Sequence, residues 1–348
     1  MVDFIIVGQG IAGTMLAWFL EKHGQSVVII DHFNPSSSSQ VAAGIIHPIT
    51  GRRIVKTWMA DTLIPFAESA YKEMEDFFST EFFRRIPIIE LIDNVKEYND
   101  WQARSETAEM KNYISTSVDN TIYNEFLKPS FKKILIHQAG WINLKHFLQS
   151  FKKYFLTKDS LVDEYFDYSK LSIKNDLITY NNVEARTIIF CEGVSAMQNP
   201  FWKHLPFIPA KGEILMISCK LNEQVKHIIN KKIFILPLGD GLFKVGSTYT
   251  WDDLTDVPTE DAKEYLINEL KQIIKVDFQV VDHEASVRPS VKNRRPFIGL
   301  HPKYQQVGIF NGLGSKGCLL APFFSNHFAG FLSGKSELMK EINVATLF

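Results

Sequence analysis

The sequence predicts an α/β chain built on a buried parallel sheet of the dinucleotide-binding kind, and three observations predict it. Phe4-Ile5-Ile6-Val7 is an unbroken apolar run, Gly8-Gln9-Gly10-Ile11-Ala12-Gly13 follows it at once, and a second apolar run ends in Asp31. Four apolar residues without polar alternation suit a strand covered on both faces. Thr14 to Lys22 reads as a helix whose apolar face is Ala12, Leu16, Phe19 and Leu20, and His23-Gly24 ends it. Ser26 to Asp31 is the next strand. Gly8 permits the tight turn, Gly10 lets a pyrophosphate approach the backbone, and Gly13 lets helix and strand pack closely. The N-terminus of the helix offers unpaired N–H groups to phosphate. Asp31, eighteen residues past Gly13, suits the ribose hydroxyls, and an acid there argues against a 2′-phosphate. The fingerprint alone leaves FAD and NAD both open.

A length of 348 residues exceeds a single core and predicts two domains or one large unit with an inserted lobe. Thirty-eight Lys and Arg balance 39 Asp and Glu, so no global field draws the chain to nucleic acid or anionic lipid. Cys191, Cys219 and Cys318 are far apart, with no metal-binding spacing and no disulfide framework. The start lacks a basic segment and its apolar run is broken by glycine, so no signal peptide is expected. No apolar run reaches membrane-spanning length, and a cytoplasmic location is the expectation.

Beyond Asp31, the small residues Ser36 to Ser39 lead through Gln40 into Val41-Ala42-Ala43-Gly44-Ile45-Ile46, a loop that lets backbone approach a planar ring. Four later segments follow in order. They are Ala139-Gly140-Trp141-Ile142-Asn143 before a helix at Leu144 to Phe155; Thr187-Ile188-Ile189-Phe190-Cys191-Glu192-Gly193; Pro209-Ala210-Lys211-Gly212-Glu213; and a C-terminal stretch. The last comprises Ser286-Val287-Arg288-Pro289, Pro296-Phe297-Ile298-Gly299 and Asn311-Gly312-Leu313-Gly314-Ser315-Lys316-Gly317-Cys318. Together these resemble the D-amino-acid oxidase/glycine oxidase superfamily of FAD enzymes over nearly the whole chain.

The resemblance implies a Rossmann-type FAD-binding domain (1–50, 130–212 and 286–348) interleaved with an α+β substrate domain on an antiparallel sheet (51–129 and 213–285). The patterning agrees: residues 234–237 and 242–248 alternate as a hairpin about Gly239-Asp240-Gly241, and Thr259 to Ile274 reads as an amphipathic helix after Pro258. The implied cofactor contacts are Gly8, Gly10, Ile11, Ala12, Gly13, Asp31, Ser39, Gln40, Ala42, Ala43, Gly44, Val162, Glu192, Gly193, Gly312, Gly314, Ser315, Lys316 and Gly317. The backbone from Gly312 to Gly317, with Lys316 and the helix beginning near Cys318, would face the flavin's anionic edge. No cysteine follows the arginine segment at Ser290 to Arg295, so the FAD is expected to be noncovalent.

The implied activity is oxidation of a C–N bond in an amino acid or secondary amine, by hydride transfer to flavin and hydrolysis of the imine. That chemistry needs no acid/base dyad. Arg288 aligns with the arginine that grips the substrate carboxylate, for which a guanidinium fork is suited. Arg294 and Arg295 read as surface charge or a structural ion pair. Lys244 sits in a strand similar to the one carrying the oxygen-activating lysine of sarcosine-oxidase-like members. Glycine oxidases have tyrosine where Phe234 stands and arginine where Ser315 stands, which points away from strict glycine oxidation and toward a larger amine.

Leu313 to Gly317 with Ala321-Pro322 is also similar to the flavin domain of bacterial enzymes that oxidise a carboxymethylaminomethyl group on the tRNA wobble uridine. Arg52-Arg53, Lys132-Lys133 and Lys152-Lys153 read as solvated faces unless that alternative holds. A flavin subunit that passes electrons to a partner is the remaining alternative. Next to the flavin loop, Arg52, Lys56 and Trp58 are pocket candidates, with Trp58 read as core and His47 as a structural histidine.

Overall fold

The opening apolar run does form a strand, Val2–Val7, and its pairing explains why it carries no alternation. In the computed structural model, which describes residues 1–51, 53–174, 177–221 and 224–348, it lies parallel to Val27–Asp31 on one side and Val183–Phe190 on the other. Leu161–Asp163 extends the sheet in parallel beyond Val27–Asp31, and Val307–Asn311 runs parallel to the end of Val183–Phe190. A meander, Leu171–Lys174 and Leu177–Tyr180, and the antiparallel strand Phe297–Leu300 complete eight strands.

A second eight-stranded sheet runs in the order Phe278–Arg288, Ala210–Cys219, Leu242–Gly246, Phe234–Gly239, Ile228–Asn230, Ile88–Ile92, Lys132–Ile136 and Ile114–Ser115. All its pairings are antiparallel except Ile228–Asn230 against Ile88–Ile92. Strand Lys132–Ile136 therefore hydrogen-bonds within this second sheet. The hairpin closes at Asp240-Gly241, both at positive φ. Helix Glu260–Ile273 starts at Thr259, whose hydroxyl accepts the Ala262 N–H, and buries Leu266, Leu270 and Ile273 against Leu215, Ile217 and Val245.

Helices Ile11–Lys22, Ala60–Phe78, Leu144–Thr157 and Gly317–Leu332 share the largest core. Trp18 and Phe78 each meet Phe151 edge to face within it, at 5.6 and 4.7 Å between ring centroids. The first helix begins three residues earlier than its apolar pattern suggested, because Gly10 caps it with backbone alone. Among the described residues, no helix is long and apolar enough to cross a membrane.

Candidate active site

One cavity of about 1140 Å³ lies between the two sheets, above the C-terminal ends of the parallel strands, where open α/β sheets place their ligands. Gly8 turns the chain at φ +102°, and a Cβ there would stand 2.6 Å from the Cys191 carbonyl oxygen. At Gly13 a Cβ would be 1.9 Å from the Gly8 carbonyl oxygen, so helix and turn can touch only through glycine. No side chain caps helix Ile11–Lys22 at Gly10, although Ser39 Oγ accepts the Ile11 N–H at 3.1 Å.

Asp31 accepts the Gln9 N–H through Oδ1 at 2.8 Å, which fixes the turn. Burial raises its carboxyl above the usual range, against the lowering effect of the Gln9 bond. The closing segment comes to the same place. Ile11 and Gly317 both line the cavity, and a Cβ on Gly317 would lie 3.2 Å from Ile11 Cγ2. A helix N-terminus that Gly10 leaves without a side-chain cap, a glycine turn without room for side chains and a neighbouring acid fit the pyrophosphate and ribose of a dinucleotide. The volume exceeds the roughly 300–1000 Å³ of ordinary ligand pockets.

Sixteen of the expected residues line this cavity: Gly8, Gly10, Ile11, Ala12, Asp31, Ser39, Gln40, Ala42, Ala43, Gly44, Glu192, Gly193, Gly314, Ser315, Lys316 and Gly317. Arg288 does so as well. Gly13, Val162, Gly312 and Lys244 do not. Gly13 packs behind the turn, Val162 pairs with Ile30 inside the sheet, and the Gly312 N–H donates to Asn311 Oδ1.

Lys244 lies behind the Val41–Gly44 loop, its Nζ 3.5 Å from the Val41 carbonyl oxygen and 3.8 Å from Glu284 Oε2. Burial lowers its pKa despite Glu284.

Two lining residues are engaged differently from expectation. Glu192 receives the hydroxyl of Tyr168 on one oxygen and Asn199 Nδ2, at 2.8 Å, on the other. Burial still raises its carboxyl to about 7. Lys316 donates to Thr57 Oγ1 at 2.7 Å and Thr50 Oγ1 at 3.1 Å. Burial first, then the charges of Arg294 and Arg295, lower it to about 8. His47, lining the cavity nearby, accepts the Ile49 N–H and is held neutral by burial, at about 3.

Arg288 ends strand Phe278–Arg288 and reaches across Gly212, where a Cβ would collide with its guanidinium at 1.9 Å. Its Nη2 donates to Ser247 Oγ at 2.8 Å, and Nη1 approaches the carbonyl oxygens of Lys211 and Thr248 at 3.3 and 3.4 Å. Tyr249 lies over the guanidinium at 4.2 Å. Among the described residues no carboxylate forms an ion pair with it. Behind it the buried Lys211 ties down the 248–259 loop through Asp253 and the Val257 carbonyl.

Other readings change on contact with the structure. Arg295 forms no ion pair among the described residues but stacks at 3.8 Å on Trp58, which itself stacks on Phe324. Lys56 pairs with Asp61, away from the cavity, and Arg52 lies outside the described residues. Lys133 is buried and donates to the carbonyls of Asn120 and Ile122, so that pair of lysines is not one solvated face.

Sequence reasoning missed the far wall, Ile88, Ile228, Asn230 and Lys232, and the aromatic shelf of His32 and Tyr165, whose rings lie 3.9 Å apart beside Asp31. Strand register across the second sheet sets the far wall, and no local motif encodes it. For the shelf, an aromatic next to Asp31 was the available signal.

Comparison with known proteins agrees with the site. The description "DAO: FAD dependent oxidoreductase" matches residues 3–330. Glycine oxidase of Pseudomonas putida is 23% identical over 96% of this chain and 95% of its own length. The bifunctional protein of tRNA 5-methylaminomethyl-2-thiouridine biosynthesis from Legionella pneumophila is 25% identical over 86% of this chain, which spans 45% of that protein. The crystal structure of iminodiacetate oxidase from Chelativorans superposes with a TM-score of 0.82 at 19% identity, covering 98% of both chains. With a match over almost its full length and a cavity suited to a dinucleotide, the chain belongs to the DAO family of FAD-dependent oxidoreductases.

Proposed function

We propose that this oxidoreductase acts on the C–N bond of a carboxylated amine, an amino acid or N-substituted glycine, and that Arg288 receives the carboxylate. The observation that carries the reading is a half-buried guanidinium on the cavity wall with hydroxyl, carbonyl and ring partners but, among the described residues, no acid. A cation largely withdrawn from water without a counter-charge is costly, and an anionic ligand would relieve that cost.

When bound, FAD supplies the acceptor for the hydride equivalent leaving the carbon next to nitrogen. The chain's own part is to hold that carbon in place. Arg288 fixes the carboxylate, Tyr249 covers the guanidinium, and Phe234, Ile214 and Gly246 give an apolar floor that keeps water away. The substrate nitrogen must be unprotonated as it gives up electrons, and water then hydrolyses the imine. Among the nucleotide-side residues, Gly8, Gly10 and the Ile11 helix terminus would hold the pyrophosphate and Asp31 the ribose.

Noncovalent attachment is supported by the state of the two cysteines in the lining. Burial pushes Cys318 up to about 12 and Cys191 well above its usual range, so neither offers a thiolate. We further propose that the parallel sheet with its helices is the FAD domain and the antiparallel sheet the substrate domain.

A second reading, oxidation of a carboxymethylaminomethyl group on tRNA, is favoured by the similarity to the Legionella protein. Anaerobic bleaching of the bound flavin across an amine library tests the first reading. It predicts reduction by at least one carboxylated amine and none by its decarboxylated analogue; equal reduction by both would reject the role of Arg288. Reduction by bulk tRNA, with salt-sensitive binding, would instead select the second.

A further inference from the structure

We infer that Asn230, held by Glu90, is a specificity-determining residue that reads a hydrogen-bond donor on the tail of an elongated substrate, about 10 Å from the carboxylate. This rests on the proposed oxidation of a carboxylated amine and narrows its substrate class.

Direct cross-strand partners share one face of a sheet. Ile214 is opposite Gly246, Gly246 opposite Phe234, Phe234 opposite Asn230 and Asn230 opposite Glu90. The first four line the cavity, so this row is its floor. Arg288 anchors on Ser247, next to Gly246, the second member of the row. Asn230 stands two strands further on, and at roughly 4.8 Å per strand that is about 10 Å.

Between the two stations lie a glycine and a phenyl ring, which offer space and apolar contact but no polar group. The carboxylate and amine of glycine are separated by two bonds, so glycine cannot bridge the gap. An N-substituted glycine with a tail of several atoms can.

The orientation of Asn230 defines what it reads. Its Nδ2 donates to Glu90 Oε2 at 2.7 Å, and among the described residues no donor is bonded to its Oδ1. The amide is thus fixed with an acceptor left over, and the complementary substrate group is an N–H or O–H. A tail without a donor would leave that acceptor desolvated and unpaired, which is the physical source of discrimination. Glu90 does not line the cavity, so it is a positioning residue.

The test uses two isosteric probes, N-(3-carbamoylpropyl)glycine and N-(4-methylpentyl)glycine, scored by the ratio of their kcat/KM values in the flavin-loaded enzyme. The wild type should favour the amide about tenfold. N230L should bring the ratio to about one, and so should E90L, whereas E90Q, which keeps an acceptor for Asn230 Nδ2, should retain the preference. A purely structural bond between Asn230 and Glu90 would lower both rates together and leave the ratio alone. The inference is overturned if the wild-type ratio is near one or if N230L and E90L leave it unchanged. Failure of every carboxylated amine to bleach the flavin would instead remove the reading on which it rests, and both would fall.

Discussion

The glycine-turn end of the cavity is made by backbone, and its far wall by side chains brought together across strands. At the first, Gly8, Gly10 and Gly13 occur within six residues, and what matters is the absence of Cβ atoms between turn, helix and strand. At the second, Arg288, Ser247, Phe234 and Asn230 come from four separate segments, and their meeting depends on register. Local geometry leaves a motif in the sequence; register leaves only alternation. The two ends should therefore fail in different ways.

The largest effect is expected at the backbone end. Gly13→Val would force a side chain into the Gly8 carbonyl and should cost about 3 kcal/mol, so the purified protein would be colourless and melt at lower temperature. A yellow variant with wild-type Tm would break the comparison.

At the other end, Arg288→Met should leave the flavin in place and lower kcat/KM for the carboxylated amine about 100- to 1000-fold, since one or two charge-assisted hydrogen bonds are lost. Loss of flavin in that variant would show that the two ends are not separable. Lys244→Met is the intermediate case, because its ammonium sits behind the loop that joins them. If it activates oxygen, air reoxidation should slow about a hundredfold with anaerobic reduction nearly unchanged, measured by stopped flow; equal slowing of both rejects that role.

Glu192 sharpens the comparison through pH. Its folded carboxyl keeps its proton up to about 7, whereas in the unfolded chain it ionises near 4.5. Unfolding then releases a proton between those values, so this group's contribution to stability falls as pH rises from about 4.5 to about 7 and is level above. Glu192→Gln, which can still accept from Asn199 and donate to Tyr168, should flatten that part of a Tm–pH profile. An unchanged profile would mean the carboxyl titrates normally.

The smallest effect is at Phe234→Tyr, which adds the hydroxyl expected of glycine oxidases. A new hydrogen bond of about 1 kcal/mol should lower the KM for glycine about fivefold with little change in flavin affinity.

How much was legible follows the same division. The first parallel strands, the helix after the glycine turn, the hairpin about Asp240-Gly241 and the helix after Pro258 were readable because each is set by residues adjacent in the chain. The glycines among the sixteen expected residues line the cavity for a similar reason, since they mark positions where backbone must be bare, whereas Arg288 was found through the resemblance. What the sequence did not show is how the side chains are engaged. Lys316 is turned onto Thr50 and Thr57, Glu192 onto Tyr168 and Asn199, and Arg295 onto Trp58 by partners in other elements.

By itself the sequence determined the dinucleotide turn and the alternation of sheet and helix, because glycine spacing and apolar periodicity are local consequences of backbone sterics and burial, while the family rested on a resemblance carried by several separate segments. Only the tertiary structure decided that Arg288 has no acidic partner among the described residues, that Lys244 stands behind the Val41–Gly44 loop and off the cavity wall, and that Asn230 lines the cavity two strands from Gly246. Those facts depend on which strands pair and in what register, and a strand's alternation records which face a residue occupies but not which distant residue it will meet there.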